Sequence, residues 1–243
     1  MYDDAMALDP NGTRAPVFDP DEYTPILYFD KEETEFPIDF ADVVQRRRAP
    51  SQARPTITRV VTSSESLYIV SFFILFHRDT GKEILGMTVD AHKWDVERVD
   101  VAVNKATLLV DRVVYNPHSE PESFGISHPK DLDAILVQGC RPIVYVSYGK
   151  HATMPVTKMV RMLGFGTDVC RRPHKTAEGL VAVECTSAMW MLYNFRRLDN
   201  IASIRQRVTT RDPLDAPIVR LGSLKYRQLF SMKSLLRRMR KNV

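Results

Sequence analysis

Residues 95–103 read Asp-Val-Glu-Arg-Val-Asp-Val-Ala-Val, and period-two alternation puts Asp95, Glu97, Val99, Val101 and Val103 on one face of an extended strand. Two carboxylates therefore head an otherwise apolar face. Around this stretch the β signal is sustained. Thr56 onward reads TITRVVT, Leu67–Phe76 reads LYIVSFFILF, and Thr107–Tyr115 and Pro142–Tyr148 are likewise rich in β-branched and aromatic residues, with turn chemistry between them. Leu67–Phe76 is about half the length a membrane-crossing helix needs, so it reads as a buried strand and no transmembrane segment is expected. Tyr23–Phe29 (YTPILYF) looks like a first strand. Several strands at this spacing predict a mainly β chain folded as a β-sandwich with peripheral helices.

Working outward, residues 1–22 hold Pro10, Gly12, Pro16 and Pro20 among many acids and few aliphatics, the composition of an extended acidic arm. A short amphipathic stretch, Asp39 to Arg48, ends in three arginines and runs into a Pro-rich connector over 49–55. Residues 116–141 form a long connection with Pro117, Pro121 and Pro129 and a short candidate helix around Lys130 to Leu136. Val181–Phe195 reads as one long strand or a strand running into a helix, and Gly164–Asp168 as a turn. Leu229, Met232, Leu236 and Met239 stand at three-and-four spacing with basic residues between them, which predicts an amphipathic helix from about 225 to 240. The expected division is an arm over 1–22, a single sandwich domain over 23–220 and a basic C-terminal helix over 221–243.

With 243 residues, 44% of them hydrophobic and 26% charged, the composition is that of an ordinary globular protein and excludes global disorder. Three cysteines, Cys140, Cys170 and Cys185, are odd in number and too widely spaced for a zinc knuckle, so reduced thiols are expected rather than a disulfide framework. The first residues lack the basic and apolar regions of a secretory signal, which predicts a location in the cytosol or nucleus, or in a particle assembled there. The net charge of +4 is unevenly spread: the first 22 residues are acidic, whereas no acid follows Asp215. Opposite ends suit contacts between copies of this protein or with another protein in an assembly, with Arg237, Arg238, Arg240 and Lys241 as partner contacts; the basic tail also suits an anionic surface.

All six histidines lie between His77 and His174. The sharpest local feature is 91–97, Ala-His-Lys-Trp-Asp-Val-Glu, where His92 precedes Asp95 and Glu97 and could supply one nitrogen and several oxygens to a divalent cation. Such a donor set ranks Mg²⁺, Ca²⁺ or Mn²⁺ above zinc. The competing reading leaves the two acids solvated or paired with Lys93 or Arg98. No nucleophile elbow, phosphate loop, dinucleotide fingerprint or zinc-protease motif is present, so the enzyme reading is the weaker one.

Three separated blocks carry a family resemblance. Tyr23–Val43 (YTPILYFDKEETEFPIDFADV) resembles the opening of the vacuolar protein sorting-associated protein 62 family, HKWDVERVDV its His-x-Gly-Asp-Trp-Glu and alternating strand, and Pro142–Pro155 its strand ending in Gly-Ser-His-Ala. The central motif is also similar to the Gly-His-Arg-His-Asp-Trp-Glu heptapeptide of the necrosis- and ethylene-inducing peptide-like proteins, whose fold is a lectin- and actinoporin-like sandwich. That resemblance implies a cation held by His92, Asp95 and Glu97, with Asp79 in FHRDTGK as the remaining acidic ligand and Asp90 as its competitor. It implies a direct or supporting role for His151 in Gly149-Lys150-His151-Ala152, a backbone hydrogen bond being the alternative. His118 would line the same end of the sandwich or cap a loop, and Trp94 takes the place of the second His. Trp94 and Val96 depart from the usual Gly and Trp. With neither a signal nor suitable cysteines, toxin activity is not carried over. The expected function is a non-enzymatic structural or interaction protein assembling through its charged ends, such as a component of a viral particle or an intracellular array. The alternatives are a cation-dependent module binding a glycan or lipid headgroup, and a metal-dependent hydrolase.

Overall fold

The computed structural model describes residues 17–37, 56–80, 82–84, 87–89, 92–117, 123–160, 167–175, 181–184 and 212–226. Two sheets face each other. The larger is built on β2 (Thr56–Ser63), β3 (Leu67–Asp79), β6 (His92–Asn104), β7 (Val110–Asn116) and β8 (Phe124–Ile126), with β15 (Val181–Glu184) parallel to β2 at one edge. Its spine is the antiparallel pair of 13-residue strands β3 and β6, in register from Leu67 opposite Asn104 to Asp79 opposite His92. The smaller sheet places β1 (Ile26–Phe29) between β10 (Arg141–Val146), to which it is parallel, and β14 (His174–Lys175). It is extended by β11 (Thr153–Met154) and β9 (Leu136–Val137) on β10. Two small hairpins, β4 (Lys82–Ile84) with β5 (Met87–Val89) and β12 (Lys158–Val160) with β13 (Thr167–Val169), complete the strands.

The alternation read at 95–103 decides the packing. Val99, Val101 and Val103 face inward beside Phe72, Ile74 and Phe76 of β3 and meet Leu27, Phe29, Val144 and Val146 of the smaller sheet. Each such fully buried side chain is worth roughly 1.5–3 kcal/mol of transfer free energy. A polar pin fixes the sheets on each other, the buried Tyr115 hydroxyl donating to the Ile143 carbonyl at 2.8 Å, and the Tyr23 hydroxyl donates to the carbonyl of Leu108, in the loop between β6 and β7, at 2.8 Å. The opposite face of β6 is buried as well. There Val96 and Ala102 lie with Phe73, Leu75 and Val114, while Asp100 accepts from Arg98 Nε at 2.8 Å and from Asn116 Nδ2 at 2.9 Å.

Several expectations are refined. The first strand begins at Ile26, because Pro20–Tyr23 forms a 3-10 helix capped by the Asp19 side chain. Residues 17–22, the end of the expected arm, are seated on the domain: the Phe18 ring stacks on Tyr68 with centroids 3.9 Å apart, and Asp21 pairs with Arg59. The connection 116–141 supplies the β8 edge, the helix α1 (Pro129–Ile135) and β9. The C-terminal part of the described chain runs back over that edge. Ile218 bridges Gly125, Arg112 Nη1 donates to the Leu214 carbonyl at 2.8 Å, and Arg220 Nε pairs with Asp131 at 2.6 Å. Leu221–Tyr226 is a 3-10 helix. The helix expected over 225–240 lies, beyond Tyr226, outside the described residues, as do residues 1–16, 39–55, 185–195, Cys185 and the tail contacts Arg237, Arg238, Arg240 and Lys241. Among the described residues no helix is long and apolar enough to cross a membrane.

Candidate functional site

At one end of the sandwich, where β3 and β6 run out past the apolar core, the chain buries an unusual density of charge. The Ser147–Ala152 turn between β10 and β11 enters this end. It is closed on itself: the Ser147 N–H donates to the Ala152 carbonyl at 3.1 Å, the His151 N–H to the Ser147 carbonyl at 3.0 Å, and the Ala152 N–H to Ser147 Oγ at 3.0 Å. Gly149 at φ 67° and His151 at φ 54° both take left-handed backbone. That conformation is natural for Gly and tolerated by His, and it lets consecutive side chains diverge.

The divergence sends Lys150 and His151 to different carboxylates. Lys150 Nζ lies 3.1 Å from Asp79 Oδ2, both side chains being buried. The His151 ring is 0% exposed and lies flat on Phe76, with centroids 3.9 Å apart and planes at 7°. Its Nδ1 is 3.2 Å from Asp95 Oδ2. Its Nε2 stands 3.6 Å from Glu33 Oε1, an ion-pair separation too long for a proper hydrogen bond. Burial would push this imidazole down, but the hydrogen bond with Asp95 and the facing charges of Asp95 and Glu33 outweigh it and push it up to about 9. Glu33 responds in the opposite sense. Burial raises it, yet His151 and the backbone N–H groups of Gly149 and Glu35 together hold its carboxyl below the ordinary range.

Glu33 also ties loops together. Its Oε2 accepts from the Gly149 N–H at 2.8 Å and its Oε1 from the N–H groups of Thr34 and Glu35 at 2.9 Å each. Thr80, just after β3, donates its N–H and its hydroxyl to the Gly149 carbonyl at 3.0 Å each. Glu97, fully buried, accepts from the Thr153 N–H at 3.4 Å and the Thr153 hydroxyl at 3.5 Å. A Cβ built on Gly149 would collide with Thr80 Oγ1, at a φ that L-residues disfavour. Gly149→Ala is therefore expected to cost about 2 kcal/mol in urea unfolding; an unchanged midpoint would mean the turn is not pinned as described.

The four expected ligands fare differently. Asp79, Asp95 and Glu97 do gather at this end, on Lys150, His151 and Thr153 respectively. The backbone of His92 lies in register opposite Asp79, but its side chain and that of Trp94 lie outside the described residues, as do His118 and Asp90. His151 is not merely bonded to backbone: its ring joins Asp95 and Glu33. Among the described residues no three His, Cys, Asp or Glu side chains converge so as to hold a metal ion. The oxygens that would have to do so are engaged by an ammonium, an imidazole and a Thr N–H and hydroxyl, a donor set that fits a divalent cation poorly. Glu33, Lys150, Thr153 and Thr80 were not singled out in the sequence. Each nonetheless lies inside a stretch that carries the resemblance: Glu33 in Tyr23–Val43, Thr80 in FHRDTGK, and Lys150 and Thr153 in Pro142–Pro155. Cys140 and Cys170 are free thiols; burial pushes Cys170, the more enclosed of the two, up to about 12.

No protein-family model and no curated protein matches this chain. The resemblance to the vacuolar protein sorting-associated protein 62 family thus rests on its three sequence blocks. Solved structures are similar at low identity. NLPPya in complex with mannosamine aligns at 12% identity and a TM-score of 0.44, covering 77% of this chain and 87% of that one. The non-toxic HaNLP3 protein aligns at 10% identity and 0.44, covering 73% and 80%. Necrosis and Ethylene inducing Protein 2 from the causal agent of cocoa's Witches Broom disease aligns at 16% identity and 0.42, covering 96% of each.

Proposed function

We propose that this protein is a non-enzymatic β-sandwich interaction module whose working surface is the loop end around Tyr148, and that its ligand is a glycan. The supporting observation is the contrast within one turn: Gly149, Lys150 and His151 are buried and pinned, while the adjacent Tyr148 ring is 51% exposed. An aromatic ring held out from locked backbone offers a flat apolar face and a hydroxyl at little cost in conformational entropy, which suits stacking against a sugar ring. The neighbouring loops are fastened to the same turn and to each other. The Tyr148 N–H donates to the Val169 carbonyl at 3.2 Å and the Lys31 N–H to the Arg171 carbonyl at 3.1 Å, which leaves exposed Lys31, Arg171 and Arg172 as donors for hydroxyl or acidic groups. The acids of the buried cluster are answered by Lys150, His151 and Thr153 rather than by solvent, which favours recognition over turnover.

Calorimetric titration with a saccharide panel that includes glucosamine and mannosamine tests this. Tyr148→Ala is expected to bind about tenfold more weakly, the equivalent of roughly 1.4 kcal/mol, with an unchanged melting temperature. Equal affinity in the two proteins would overturn the reading.

Assembly through the charged ends is the second reading, supported by the seating of the arm's root through Phe18 and Asp21, which gives residues 1–16 a fixed point of departure. Removing 1–16 or 227–243 is then expected to reduce the mass seen by size-exclusion chromatography with light scattering. Particles of undiminished size would rule that reading out.

A further inference from the structure

We propose that the buried Lys150 ammonium takes over at Asp79 the charge-balancing task a divalent metal would otherwise perform, so that this end of the sandwich is held without a metal ion. The inference does not depend on the identity of the ligand at Tyr148. It starts from the turn. Two consecutive basic side chains are inserted into the domain, Lys150 onto Asp79 at 3.1 Å and His151 between Asp95 at 3.2 Å and Glu33 at 3.6 Å, and all five groups are buried.

Burying a lysine is costly unless a carboxylate answers it, and the reverse holds for Asp79. The pairing therefore gives each group the partner its burial demands. A Mg²⁺, Ca²⁺ or Mn²⁺ ion bound to Asp79 would sit about 2.0–2.6 Å from its oxygen. It would then stand beside the Lys150 ammonium, and the like charges would repel at short range in a medium of low dielectric. Gly149 and Thr80 keep the turn in the one conformation that delivers both basic groups, so the substitution of side chain for ion is structural rather than incidental.

The test is thermal unfolding of the full chain after chelation and again with millimolar Mg²⁺, Ca²⁺ or Mn²⁺, alongside Lys150→Met, Asp79→Asn and the double variant. The expected result has three parts. The wild-type melting temperature is indifferent to chelator and to all three ions; each single variant melts lower; and the double variant loses less than the sum of the singles, because removing both charges leaves neither stranded. If Lys150→Met does not fold, Lys150→Arg decides in its place, since it keeps the charge and is expected to fold and to stay indifferent to metal. A wild-type melting temperature lowered by chelator or raised by any of the ions would overturn the proposal, as would additive losses in the double variant.

Discussion

Replacing His151 with alanine is expected to lower the free energy of unfolding by about 3–5 kcal/mol, the range for breaking a buried ion pair by removing one partner. The loss has three sources. Asp95 and Glu33 remain buried and lose the cation between them. The cavity left above Phe76 forfeits the face-to-face contact of the two rings at 3.9 Å. Alanine at φ 54° also tolerates left-handed backbone less well than histidine does. Urea unfolding followed by far-UV circular dichroism measures the effect. A drop below about 1 kcal/mol would put the interaction in the class of exposed ion pairs and sink the description of this site as a cluster of buried ion pairs. His151→Gln can still donate to Asp95 but carries no charge, so it is expected to fall between wild type and alanine.

The alternating strand made both the sandwich and the position of the acids readable in advance. Once Val99, Val101 and Val103 face the core, Asp95 and Glu97 must lie on the same face nearer the strand's start, and only one end of the sandwich can receive them. The identity of their partners was not readable. Lys150 and His151 meet these acids through the pairing of β10 with β1, the left-handed turn at Gly149 and the closure of the turn on Ser147, all of which are long-range or conformational facts. Glu33 was hidden for the same reason: it sits in an acidic run, Asp-Lys-Glu-Glu-Thr-Glu, where nothing distinguishes the acids folded inward, Asp30 and Glu33, from the exposed Glu32 between them. Lys150 occupies the Ser place of the Gly-Ser-His-Ala block, a departure whose meaning appears only with Asp79 beside it. The start of β1 was placed too early because Pro20 and the Asp19 cap, which set a 3-10 turn, are local signals that the strand-like run YTPILYF outweighed.

Stability should also depend on pH in one direction between about 6.5 and 9. His151 titrates near 6.5 when unfolded and is pushed up to about 9 when folded, so in this window the native state holds a proton that the unfolded chain has lost. Its contribution is complete below pH 6.5 and is lost as the pH rises through 9; the shift corresponds to on the order of 3 kcal/mol, at no more than about 1.4 kcal/mol per pH unit. Glu33 acts at the other limit. Its carboxyl is held below its ordinary 4.5, so its contribution is present above that value and fades on acidification, which leaves a plateau between the two ranges. The contact of Glu33 with His151 underlies both effects and counts once. Cys170, Tyr23, Tyr115 and Tyr145 are all pushed upward by burial from ordinary values of 9 or 10, so their ionisation falls above this window. Urea midpoints taken at half-unit pH steps should therefore decline from pH 6.5 to 9 in the wild type, and the decline should flatten in His151→Gln. A variant that keeps the wild-type slope would assign the proton to another group and would separate the geometry of the cluster from its charge.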